Sequence, residues 1–314
     1  MEELLQISNL NTYFKTPAGN VKAVCDVNLE LKRGEVLGLI GETGCGKSVL
    51  GETIIKVLPK NAVCTGSIRF EGNELVGYTQ KQARRLRGRK IAVIPQNPAE
   101  ALNPLVKNGR QVDEAVLHNK GIGYLSAKKV TLGLLEEMNF PNAERVYDEY
   151  PHRLSGGMKQ RVLASMGLSG DPELLIADEP TKGLDTIIRG QVIETLATFR
   201  KKTNTAMLII THDLNFAIKL CDRIAVMYAG EIVEIGTPRE LFTDARHPYL
   251  KGLILAQPEN GLIPINGTSP SLLNLPSGCR FSKRCAFASD KCKRIHPDMH
   301  TVSETHEVRC CLNA

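Results

Sequence analysis

The stretch EVLGLI (35–40) carries a continuous apolar run that stops abruptly at a glycine-rich turn, GETGCGKS (41–48). KIAVIPQ (90–96), ELLIADEP (173–180) and AMLIITHD (206–213) have the same form, each strand-sized and each ending in polar residues. Such runs suit strands buried on both faces of a parallel sheet. Helix-compatible stretches at 47–57, 126–139, 156–168, 186–202 and 214–220 lie between or after them. Alternating strand and helix signals predict a doubly wound α/β sheet. Ligands bind such sheets at the carboxyl ends of the strands, which is where all four polar stops fall.

The remaining segments read differently. Residues 4–35 are β-rich, with Val27, Leu29 and Leu31 alternating with polar positions, and RIAVMYAGEIVEIG (223–236) reads as a hairpin around Ala229-Gly230. Residues 98–165 hold no comparable buried-strand run and suggest a helical insertion. After about residue 257 the chain turns loop-like and proline-rich, a linker into a cysteine-bearing tail. No internal repeat is visible. With 42% apolar and 24% charged residues, the 314-residue chain has an ordinary globular composition, long enough for one large core or two modest ones. The start, MEELLQISNL, lacks the basic end and apolar stretch of a signal peptide, and the longest apolar runs fall far short of a membrane span. A soluble, cytosolic protein is the expectation. The net charge of +6 points only weakly to an anionic partner. The run KQARRLRGRK (81–90) reads as a solvated helix face or loop, and no aromatic-interleaved basic stripe suggests nucleic acid.

Chemistry concentrates in three places. GETGCGKS fits GxxxxGKS and sits between a buried strand and a helix, the context that gives this motif its meaning. Glycines there let backbone N–H groups wrap phosphate oxygens, Lys47 adds a point charge, and the Ser48 hydroxyl suits Mg²⁺. Cys45 occupies a replaceable position in the loop and is assigned no chemistry. LLIADE ends a strand in Asp178, placed for the Mg²⁺ side, and Glu179, placed to polarise an attacking water as a general base. In LSGGMKQR (154–161), Ser155 can cap a helix whose first turn exposes bare N–H groups at Gly156 and Gly157.

Together with the lone His212, these motifs stand in the order and spacing of the ATPase subunits of ATP-binding cassette (ABC) transporters, which the chain resembles from residue 1 to about 257. The resemblance implies an α/β P-loop NTPase fold, a mixed β-sheet core with a helical subdomain at about 98–165. It implies ATP and Mg²⁺ as cofactors, with the nucleotide held by Gly41, Glu42, Thr43, Gly44, Cys45, Gly46, Lys47, Ser48 and Val49. Catalytic roles fall to Glu179, His212, Gln96 and Lys47, and Mg²⁺ to Ser48, Gln96 and Asp178. Ser155, Gly156 and Gly157 match the signature that meets ATP on an opposite subunit, and Asp185 matches the aspartate at the dimer interface. Phe14, or else Tyr13, lies where the family places an aromatic under adenine. Met158 departs from the commoner glutamine of the signature, as do Lys182 and Gly183 from the usual residues of their loop. Neither change removes a catalytic group, so an active hydrolytic site is expected.

HPYLKGLILAQP (247–258) and the cysteine region (258–314) resemble the C-terminal extension of the oligopeptide, dipeptide and nickel importer ATPases. Five of the nine cysteines lie after residue 278. In that branch four cysteines placed like Cys279, Cys285, Cys292 and Cys310 hold a 4Fe–4S cluster; zinc accepts the same ligand type. Cys311 reads as a spare beside Cys310, and His296, His300 and His306 as surface or supporting residues. Cys25, Cys64 and Cys221 read as scattered small core residues. The implied partners are a second, similar ATPase in a heterodimer, two membrane permease subunits and an extracellular solute-binding protein, with the chain peripheral on the cytoplasmic face of the membrane and no nucleic acid. The competing expectation is a non-transport ABC ATPase acting on DNA or ribosomes; the chain shows neither the heptads nor the second cassette of such proteins.

Overall fold

A computed structural model of the chain describes residues 2–313. In chain order the strands are β1 (Glu3–Thr16), β2 (Gly19–Lys32), β3 (Val36–Ile40), β4 (Ala62–Phe70), β5 (Asn73–Glu74), β6 (Ile91–Ile94), β7 (Leu174–Asp178), β8 (Ala206–Thr211), β9 (Arg223–Tyr228), β10 (Glu231–Gly236), β11 (His300–Thr301) and β12 (Glu307–Val308). The four predicted buried runs are β3, β6, β7 and β8, and the predicted hairpin is β9–β10. Two compact units contain these elements: one built mainly from Tyr78–Ile210 with Lys32–Glu35, the other from Glu3–Leu31, Val36–Gly77 and Thr211–Ala314.

In the first unit β7 runs parallel to both β6 and β8, with Leu174 opposite Ile91 on one flank and Ala206 on the other. Leu174, Leu175, Ile176 and Ala177 are all essentially inaccessible, as a strand flanked on both sides and covered on both faces requires. Helices Asn108–Lys120, Tyr124–Glu137, Ala143–Asp148 and Gly156–Leu168 lie between β6 and β7. Gly109 lies so close to Tyr147 that a Cβ would meet the ring at 2.0 Å, and the Tyr147 hydroxyl donates to buried Asp113 at 2.5 Å.

In the second unit β1 pairs antiparallel with β4, and β4 with β5. A separate arrangement runs β11-β12-β10-β9-β3, with β3 and β9 parallel and the rest antiparallel. The cysteine-bearing tail is therefore part of this unit: β12 hydrogen-bonds along β10, with Glu234 opposite Val308. All six residues of β10, EIVEIG, are buried, including the carboxylates Glu231 and Glu234. Among the described residues no helix is long and apolar enough to cross a membrane.

Candidate functional site

The second unit carries the loop Gly41–Ser48. β3 delivers it from the core, and the helix Lys47–Ile54 begins immediately after Gly46. Gly46 has φ 112°, and a Cβ on it would lie 2.0 Å from the Ala23 carbonyl oxygen, so no other residue fits this turn. Lys47 is buried, and its Nζ donates to the Gly41 carbonyl (2.7 Å) and the Glu42 carbonyl (2.9 Å), which holds the ammonium across the loop. Thr43 and Gly44 are exposed, Ser48 and Val49 half-buried. Burial pushes the Cys45 thiol up despite the neighbouring Lys47 charge, consistent with a packing role. Phe14 is half-buried on β1 opposite Ala62, with Tyr13 beside it opposite Val63. His212 is exposed just after β8, and Asp213 next to it caps the helix Leu214–Leu220 by accepting the Phe216 N–H at 3.0 Å.

The first unit carries the remaining motif residues. Gln96 is half-buried just past β6, before Asn97 caps a short helix. Asp178 ends β7. Glu179 follows it, buried, at φ 49°, its N–H donating to the Ile210 carbonyl at 2.8 Å. A left-handed conformation in a residue other than glycine costs on the order of 1–3 kcal/mol, and such strain clusters at functional positions. Ser155 caps the helix Gly156–Leu168 through the Met158 N–H (3.3 Å), as the sequence predicts. Ser155 and Gly156 are exposed, and nothing lies within 4 Å of a Cβ built on Gly156, so the helix start is open to an approaching group. Asp185, also exposed, caps the helix Thr186–Thr203 by accepting the Ile188 N–H at 3.0 Å. Gly183, one of the departures from the family pattern, has φ 72°, a conformation that explains glycine there.

The structure adds contacts that the sequence reading missed. Glu42 accepts a two-armed contact from Arg284 (Nη1 to Oε2, 2.8 Å; Nη2 to Oε1, 2.9 Å) and a hydrogen bond from the Ser269 hydroxyl (2.6 Å). Burial works against its ionisation, but these hydrogen bonds and the Lys47 charge together hold its carboxyl below the usual value. The Glu42 N–H donates to the Tyr249 hydroxyl at 2.8 Å. His247 starts the helix Pro248–Leu255, its Nδ1 accepting the Tyr249 N–H at 3.0 Å. The HPY segment thus reaches the phosphate loop directly. Glu234 accepts the Arg246 N–H (2.8 Å), the His247 N–H (2.7 Å) and a hydrogen bond with His306 (2.8 Å). Its burial pushes its pKa up against those hydrogen bonds. Glu231 meets Arg280 (3.1 Å) and His296 (2.7 Å). The visible signal for both was a pair of glutamates in an otherwise apolar strand.

Cys279 lies within electrostatic reach of Cys292 and Cys310, Cys285 of Cys292, and Cys311 of both Cys292 and Cys310. Yet among the described residues no group of three or more His, Cys, Asp or Glu side chains is arranged to hold a metal ion. The sulfurs are engaged locally instead: Cys292 with the Ser289 hydroxyl at 3.4 Å, and Cys285 with the Phe287 N–H at 3.4 Å. Burial pushes the Cys279 thiol up to about 12. The fold thus adds no support for the metal cluster that the resemblance implies for Cys279, Cys285, Cys292 and Cys310. His296 and His306 serve as partners of Glu231 and Glu234, and His300 pairs with Val308 across β11–β12. Cys25 and Cys221 are core residues, while Cys64 is half-buried.

A phosphate-type loop opening a helix, an acidic pair ending a parallel strand and a glycine-rich capped helix define a nucleotide-hydrolysing cassette. The ABC transporter family model matches residues 24–182, and the model of the oligopeptide/dipeptide transporter C-terminal region matches residues 233–292. The chain belongs to the ABC transporter family, as a cassette that couples ATP hydrolysis to transport. It is 40% identical to the dipeptide transport ATP-binding protein DppD of Bacillus subtilis, over 99% of this chain and 95% of that protein. It is 42% identical to the oligopeptide transport ATP-binding protein OppD of the same organism, over 98% and 88%. OppD of Haemophilus influenzae is 40% identical, over 100% and 98%. Among solved structures, the dimeric cassette MJ0796 bound to ADP and Pi shares the fold, with a TM-score of 0.68 at 24% identity over 75% of this chain and 99% of that one. The cbiO1 subunit from Clostridium perfringens, part of the transporter complex cbiONQ, gives a TM-score of 0.66 at 28% identity, over 78% and 92%.

Proposed function

We propose that the chain is the ATP-hydrolysing subunit of an importer for di- and oligopeptides. The observation that carries this reading is similarity of about 40% along the whole chain to peptide transport ATP-binding proteins, extending through the HPY region. Nickel, which the sequence left open as a substrate, has no comparable support, and no observation favours action on DNA or ribosomes.

In this reading the N–H groups of Gly41–Ser48 and Lys47 hold the triphosphate, with Glu42, Thr43, Gly44, Cys45, Gly46 and Val49 completing the loop and Phe14 under the base. Ser48, Gln96 and Asp178 offer oxygen donors suited to Mg²⁺, which when bound neutralises phosphate charge. Glu179 takes the proton of the attacking water and His212 steadies the terminal phosphate. Ser155, Gly156, Gly157 and Asp185 face the nucleotide of a second ATPase subunit, most simply in a heterodimer. Two permease subunits and an extracellular solute-binding protein would complete the importer, with this chain peripheral on the cytoplasmic face. A metal cluster on the tail cysteines rests on sequence resemblance alone. Iron, sulfide and zinc analysis of anaerobically purified chain, with Cys285→Ser beside it, decides that point.

The test of the main reading is the ATPase rate of the chain reconstituted with its co-purifying permease in liposomes. Stimulation by peptide-loaded binding protein is the expected result. Stimulation by ribosomes or nucleic acid instead would overturn it.

A further inference from the structure

Glu42 occupies a position that the loop motif leaves unspecified, yet it is tied down from several sides. Its carboxylate takes both arms of the Arg284 guanidinium (2.8 and 2.9 Å) and the Ser269 hydroxyl (2.6 Å). Its N–H is held by the Tyr249 hydroxyl, and its carbonyl accepts from Lys47 Nζ at 2.9 Å. The side-chain partners therefore come from sequence more than two hundred residues away, |i−j| being 242 for Arg284 and 227 for Ser269. Arg284 is itself fixed. Its side chain is 6% exposed, its Nε donates to the Asn266 carbonyl at 3.1 Å, and its guanidinium carbon lies 5.8 Å from the ring centres of Tyr228 and Phe281. A two-armed arginine–carboxylate contact fixes direction as well as charge.

The electrostatic problem is plain. A carboxylate within a loop that must hold a polyanion repels the ligand and competes with it for Lys47. Arg284 cancels that charge where it stands and turns the carboxylate toward the C-terminal segment. We propose that Arg284 is a positioning residue of the nucleotide site, neutralising and orienting Glu42 so that Lys47 and the loop N–H groups meet the phosphates unopposed. The proposal rests on the reading that Gly41–Ser48 holds the triphosphate, and it assigns the cysteine-bearing segment a part in nucleotide affinity that needs no metal.

The experiment measures binding of a fluorescent ATP analogue with Mg²⁺ to the full chain, and KM and kcat for ATP in the reconstituted complex. Variants are Arg284→Met, Arg284→Met with Glu42→Gln, and Lys47→Ala. Arg284→Met should weaken binding and raise KM about tenfold, with a much smaller change in kcat, as one uncompensated charge beside phosphates at an effective dielectric near 20 requires. Adding Glu42→Gln should recover most of that loss, because the repelling charge is gone. If Arg284 only props up the fold, the double variant will be at least as impaired as Arg284→Met. That result, or unchanged binding in Arg284→Met, overturns the proposal. Should Arg284→Met not fold, Arg284→Gln with and without Glu42→Gln gives the same ordering. If Lys47→Ala binds the analogue as well as the wild type, the loop reading itself fails, and the proposal with it.

Discussion

Acidification should loosen the second unit at one identifiable side chain, His247. The imidazole is 1% exposed, spends Nδ1 on the Tyr249 N–H, and sits 5.7 Å from the Phe281 ring centre. Burial holds its pKa down at about 3, against 6.5 for an ordinary histidine. The folded protein therefore keeps His247 neutral while the unfolded chain takes up a proton below pH 6.5. The stability so linked is fully present above pH 6.5 and is lost as pH falls toward 3. At about 1.36 kcal/mol per pH unit, acidification from 6.5 to about 5 removes about 2 kcal/mol. For a unit of this size that corresponds to about 4–8 °C in Tm. The assay is the thermal midpoint of wild type and His247→Asn at about pH 7 and about pH 5. Asparagine is an equally good helix cap with nothing to titrate. Carboxylates such as Glu234 are common to both proteins, and their contribution cancels in the comparison. The wild-type midpoint should fall about 4–8 °C further than that of the variant. Parallel shifts would refute the reasoning.

Other outcomes follow from the geometry already described. Gly46→Ala forces a Cβ to 2.0 Å from the Ala23 carbonyl at φ 112°, so binding of an ATP analogue should be lost; retained affinity would show that the loop relaxes. Glu179→Gln should lower the hydrolysis rate about 10²–10⁴-fold, with nucleotide binding, measured separately, persisting. Glu231→Leu removes a carboxylate whose side chain is 4% exposed from beside Arg280 and His296. Leaving such a cation unpaired costs about 3–5 kcal/mol, and hydrogen exchange should quicken across residues 279–309. Unchanged exchange there would mean the tail is held by other contacts.

Legibility in the sequence followed the range of the interactions. β3, β6, β7 and β8 announced themselves because each is buried on both faces, leaving no polar positions to blur the run. Ser155 was readable as a helix cap because a cap bonds only three residues ahead. β4 escaped because AVCTGSIRF is half-exposed along much of its length and interrupted by Gly66, which has φ 98°. β12 is only two residues long and exists because β10 offers it an edge. The fastening of Glu42 by Arg284 depends on a fold-wide juxtaposition that no local pattern encodes.

The second unit is discontinuous in the chain, and this has a consequence for the order of events during synthesis. β9, which pairs with β3, and β10 beyond it belong to Thr211–Ala314, made only after the whole of Tyr78–Ile210 has been synthesised. At about 5–20 residues per second, β1, β2 and β3 must wait on the order of 10 s or more before their unit can close. The first unit, almost entirely one contiguous segment, can complete itself in that interval. Nascent chains stalled within the last hundred or so residues should thus hold a folded first unit beside apolar N-terminal strands still open to chaperones.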